Sequence, residues 1–226
     1  MITRSSYTKQ LEQLDGHVKA ISQAVVEDVR ATGRALAEED EAAASEVIDG
    51  HDVAIRLERS VEDSCMGLML LQQPLARDLR LVTAAFRAIT DLSRIEQMAY
   101  ETALLAREMD IHKAHPLAND LLLMSNRAAA MVEAAMDSFE TGDVAKAEDV
   151  FPMDDSLDDL YERVRKEVVD VLKNDSDAAS EAPEVLTIAK YYERMGDHAQ
   201  SLADWAIFRA TGTYRGHAMG DKEQPW

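Results

Sequence analysis

The stretch KYYERMGDHAQ (190–200) decides how this chain is read. Glu193 and Asp197 stand four residues apart in it, Gly196 sits between Met195 and Asp197, and His198 follows. Glycine in a helix interior costs roughly 1 kcal/mol against alanine. Like charges one turn apart repel by about a few tenths of a kcal/mol. Two unfavourable choices in so short a span require a compensation from elsewhere in the chain.

A second acid pair stands in PMDDSLDD (152–159), where Asp154 and Asp158 are again four apart. If the two segments are the arms of an antiparallel helical hairpin, their acid pairs fall within about 7 Å of each other along the axis at 1.5 Å per residue. Asp154, Asp158, Glu193 and Asp197 would then face one another, and a bound multivalent cation would offset their repulsion. Four carboxylates suit hard ions such as Mg, Ca or Mn, and His198 would admit Fe or Zn. Gly196 would leave room for the neighbouring helix or the ion, and Arg194 would be an ion-pair partner to one of the acids. A plainer reading stands beside this one. Acid pairs on helices are more often solvated surface, Asp154 and Asp155 also suit a helix start, and His198 reads more simply as a surface or packing histidine.

Composition narrows the function classes. With 46% hydrophobic and 30% charged residues in 226, this is an ordinary globular chain. Aromatics are 5%, and Gly (9) and Pro (5) are scarce, which favours helices joined by few turns. The single cysteine, Cys65, excludes an internal disulfide or a four-thiolate metal site and suits a reducing, cytoplasmic setting. No stretch reaches the ~20 apolar residues needed to span a bilayer, and the N-terminal segment has no apolar leader core. A net charge of −19 repels phosphate backbones and anionic lipids, so neither direct nucleic-acid binding nor membrane insertion is expected. Glu-x-x-His, HExxH, GxxxxGK[ST] and GxSxG are all absent, which speaks against an enzyme.

Apolar stripes at helical spacing predict six long helices. Leu11, Leu14, Val18, Ile21, Val25 and Val29 mark the first, and Val47, Ala54, Leu57, Val61, Cys65 and Leu68 the second, which ends before Pro74. Leu79, Val82, Phe86, Ile89, Leu92 and Ile95 mark the third. HKAHP (112–116) reads as the midpoint break. Leu117 through Phe139 mark the fourth, Leu157 through Val171 the fifth, and Leu186 through Ile207 the sixth, with Pro183 in its first turn and Gly212 as its C-cap. SRIEQMA (93–99) aligns with ERMGDHA (193–199), Arg94 on Arg194 and Ala99 on Ala199, at a spacing of 100 residues. The chain therefore reads as all-α, a duplicated unit forming two tandem, pseudo-symmetric three-helix bundles at 1–112 and 113–212. The polar tail, 213–226, reads as loose.

QQPLARDLRLV (72–82) and YERMGDHA (192–199), with the duplicated layout, resemble the PhoU family of phosphate-signalling proteins over roughly residues 5–215. The resemblance implies a cytoplasmic protein, peripheral to the membrane only through its partners. It implies two three-helix bundles that bind metal through an [ED]xxxD motif in each half. It also implies that the protein restrains the high-affinity phosphate transporter and its linked sensor kinase when phosphate is plentiful. The partners would be the transporter's ATPase subunit and a phosphate-sensing histidine kinase, with a homodimer also compatible.

In the second half the motif is kept at Glu193, Arg194, Gly196 and Asp197, with Asp154 and Asp158 on the neighbouring helix. The first half departs from it, with Ser93, Arg94, Glu96 and Gln97, and with His51 and Ile55 opposite. Metal is therefore expected in the C-terminal half only. The function expected is a non-enzymatic, metal-binding regulatory adaptor, against the alternatives of a metal-dependent phosphoester hydrolase, a metal-storage bundle, or a metal-free helical adaptor.

Overall fold

The computed structural model describes residues 4–38, 40–174 and 180–218. Six long helices dominate them: α1 (Arg4–Ala37), α2 (Glu41–Gln72), α3 (Arg77–Glu108), α4 (Ile111–Thr141), α6 (Val150–Asn174) and α7 (Ala182–Thr211). A five-residue helix, α5 (Val144–Glu148), precedes α6. None of the described helices is long and apolar enough to cross a membrane.

The helix limits follow from local chemistry. Asp40 caps α2 by accepting from the N–H groups of Ala42 and Ala43, and Asp143 caps α5 through the N–H of Ala145. Gly212 ends α7 in the left-handed region at φ 85°, donating its N–H to the Phe208 carbonyl, as expected. Pro183 lies in the first turn of α7, where its missing N–H is no loss.

Each repeat is a three-helix bundle, α1–α3 and α4–α6–α7, and the two lie side by side with α1 along α4 and α3 along α7. The buried residues of both join in a single core. Burial repeats along with the sequence. Leu92 and Tyr192, Ile95 and Met195, and Ala99 and Ala199 are buried at a spacing of 100, while Arg94 and Arg194 are both exposed. In the preceding helices the spacing is 103: Val18 with Leu121, Val47 with Val150, and Val61 with Val164.

Four local expectations are corrected. The turn between repeats is made by Met109, whose backbone is extended (ψ 149°), and by Asp110, so HKAHP lies in the opening turns of α4. The fifth long helix starts at Val150, which places Asp154 inside it and removes capping as the reason for that residue. Leu79, assigned to the core stripe, is 44% exposed. Thr213–Tyr214 and His217–Ala218 pair as an antiparallel ribbon, where a loose tail was expected. Arg215 (φ 48°) and Gly216 (φ 79°) supply its turn, and Tyr214 stacks on Trp205 with ring centroids 4.2 Å apart. Residues 219–226 lie outside the described residues.

Candidate metal centre

Gly196 marks a close approach of α6 to α7. A Cβ at this position would lie 2.6 Å from Leu157 Cδ2 and 2.8 Å from Asp154 Oδ1, so a side chain there would displace the buried Leu157 side chain and that of Asp154. The same register brings Asp154 and Asp158 within electrostatic reach of Glu193 and Asp197. Burial first, then the charges of Asp158, Asp197 and Glu193, push the Asp154 carboxyl up to about 6. Asp158 is raised as well, by burial and then by Asp197, against the opposing charge of Lys190. The helical glycine and the facing acid pairs are thus one arrangement: the missing side chain on α7 is what lets the acids of α6 come near.

Lys190 Nζ lies 2.6 Å from Glu193 Oε2. This oxygen is shut off from solvent, and the Lys190 ammonium is the positive charge set against it. Among the described residues no three His, Cys, Asp or Glu side chains are arranged to hold a metal ion as they stand. Asp197 is exposed, and its charge acts on both Asp154 and Asp158. The donors nonetheless fit a hard cation: four mutually repelling carboxylates with Lys190 set against them, and a helix contact kept clear by glycine.

Two of the sequence assignments are redistributed. Arg194 is exposed and its charge acts on Glu101, so the ion pair with the acid cluster belongs to Lys190, one turn earlier. His198 turns the other way, with Nδ1 2.9 Å from Asp91 Oδ1 on α3, where Ser201 Oγ also donates to Asp91 Oδ2 at 2.8 Å. It is a packing histidine between repeats.

In the N-terminal repeat, His51, Ile55, Ser93 and Gln97 stand at the equivalent positions and line a cavity of about 510 Å³. Glu96 takes the place of Gly196; it is 5% exposed and its Oε1 lies 2.8 Å from His51 Nδ1. Sequence reading set Glu96 in the place of the motif glycine but gave it no role. The spacing of 100 residues was the signal that sets it against Gly196.

The PhoU domain model matches residues 18–105 and 121–206, one copy on each repeat. The phosphate-specific transport system accessory protein PhoU homolog of Clostridium acetobutylicum is 26% identical over 212 residues, covering 93% of this chain and 97% of that protein. PhoU homolog 2 of Mycobacterium tuberculosis is 29% identical over 218 residues, covering 93% and 99%. The crystal structure of PhoU from Pseudomonas aeruginosa superposes with a TM-score of 0.84 at 26% identity, over 92% of this chain and all of that one. With both repeats matched and the architecture shared, this chain belongs to the PhoU family.

Proposed function

We propose that this protein is a regulator of phosphate uptake, a metal-binding adaptor that restrains the high-affinity phosphate transporter and its linked sensor kinase when phosphate is plentiful. The observation that carries the reading is the match of both repeats to a family whose members are named phosphate-specific transport system accessory proteins. On this reading the protein acts by docking and not by turnover, in keeping with those names.

An adaptor needs a surface for partners. Leu70 (71% exposed), Leu71 (68%) and Leu75 (80%) protrude together at the turn between α2 and α3, inside the QQPLARDLRLV stretch. A contiguous apolar tip of this kind on an otherwise acidic protein marks an interaction site. The transporter's ATPase subunit and the kinase are its candidate partners. In the C-terminal repeat, Asp154, Asp158, Glu193 and Asp197 would hold a divalent or trivalent ion, which would supply the positive charge that joins α6 to α7.

Deletion of the gene in its own host, with transcripts of phosphate-uptake genes measured in phosphate-rich medium, tests the reading. Derepression is expected, and unchanged repression overturns it.

A further inference from the structure

The N-terminal repeat does not simply lack the acid cluster; linked replacements fill its place. Glu96 stands where the other repeat has Gly196, His51 where it has Asp154, Ala54 where it has Leu157, and Asp28 where it has Met131. These are neighbours in space, since the Cβ position of Gly196 is 2.6 Å from Leu157 Cδ2, 2.8 Å from Asp154 Oδ1 and 3.5 Å from Met131 Cε. The volumes compensate: a glutamate on α3 is accommodated because α2 offers alanine in place of leucine. The polar groups find one another too. His51 Nδ1 is 2.8 Å from Glu96 Oε1, and the His51 ring stacks on Tyr100, with centroids 4.0 Å apart and planes at 14°. Asp28 enters from α1, near enough for the charges of Glu96 and His51 both to act on it.

We infer that Asp28 and Glu96, packed around His51, form a proton-binding site, in which a proton held by the two carboxyl groups occupies the N-terminal repeat. The comparison of this proton with a metal in the other repeat rests on the proposed function; the proton site itself does not. Two carboxylates packed around one imidazole in a poorly solvated place cannot both ionise without cost, and the set takes up a proton in response. Burial first, then Glu96 and Glu27, push Asp28 up to about 7, with His51 opposing. Burial also raises Glu96, His51 opposes, and Glu58 adds to the rise. Arg59, Glu62 and Arg94 are the other charged groups on the cavity beside His51 and Glu96. The two carboxyl groups act on each other, so the proton belongs to the pair and to no single atom.

The raised carboxyls bind more protons in the folded chain than in the unfolded one. Between the ordinary value of 3.8 and about 7, the stability this site contributes therefore falls as pH rises. The test uses the full chain in chelator, melted between about pH 5 and pH 8. Asp28→Asn copies the shape of the protonated acid. It should melt higher than the wild type across this range, by a margin that widens toward the alkaline end, and flatten the slope. Exposed Asp159→Asn should leave the slope of the wild type unchanged. Parallel curves for Asp28→Asn and wild type overturn the inference. If the variant does not fold, carboxyl carbon NMR of the wild type decides. An Asp28 midpoint near neutrality that moves in His51→Gln supports the site, and a midpoint in the ordinary carboxylate range overturns it.

Discussion

Asp91 on α3 and His198 on α7 are joined across the two repeats at 2.9 Å, and Ser201 donates to the other oxygen of the same carboxylate at 2.8 Å. The relation has a counterpart 100 residues away: Tyr191, at the position matching Asp91, bonds Glu101, at the position matching Ser201. The α3–α7 seam is thus self-complementary, as an interface between two copies of one unit would be. Asp91→Ala should cost about 1–3 kcal/mol by leaving His198 and Ser201 without their partner. Urea unfolding measures the loss. Metal content per chain should not change, because His198 serves the seam and not the acid cluster.

Helical Gly→Ala exchanges usually stabilise by about 0.5–1 kcal/mol. Gly50 on α2 has nothing within 4 Å of its Cβ position, so Gly50→Ala should follow that rule. Gly196→Ala should reverse it and destabilise by about 1–3 kcal/mol, as overpacking does. Opposite shifts of the two denaturation midpoints are the expected result.

Tyr192 is fully buried, and its hydroxyl lies 2.9 Å from Thr32 Oγ1 on α1. Thr32 directs its own proton to the Val29 carbonyl at 2.7 Å, so Tyr192 donates and Thr32 accepts. Ser125 on α4 meets the same hydroxyl. Tyr192→Phe should therefore cost about 1–2 kcal/mol with little change in fold, since it leaves buried hydroxyls short of a partner. Circular dichroism alongside urea unfolding checks both parts.

Metal uptake should be one-sided. Asp197→Asn should lower metal content per chain after dialysis against a divalent or trivalent ion, and in chelator it should not lower the melting temperature, because one repulsive charge is gone. Gln97→Ala, at the matching position of the other repeat, should change neither. Equal metal loss from the two variants would refute a single C-terminal site.

The architecture was legible because burial at these positions obeys spacing alone: Val18, Val25 and Val29, or Val61 and Cys65, are core residues wherever the helices go. Gly196 was legible for a related reason, since a costly residue inside a helix points to a close neighbour. The turn between repeats was misplaced because Pro116 looked like a breaker, whereas the reversal is made by the extended backbone of Met109. The partners of His198 and Tyr192 could not be read at all. Both reach across to the other repeat, to Asp91 and Thr32, and no local pattern encodes which helix lies opposite. The Asp28–His51–Glu96 set was not legible because its members come from three different helices and none of them is a motif residue.

Tyr192 belongs to one repeat, yet the hydroxyl that satisfies it on α1 belongs to the other, and the apolar interior runs through both without a boundary. Neither half severed from its neighbour would have anything to cover the face it lost. Heating should accordingly give one calorimetric transition whose van't Hoff and measured enthalpies agree. Occupancy at a single site would then be felt as a shift of that whole transition, scaled by the logarithm of ligand concentration over affinity. A chain built as a duplicate would respond thermodynamically as one body.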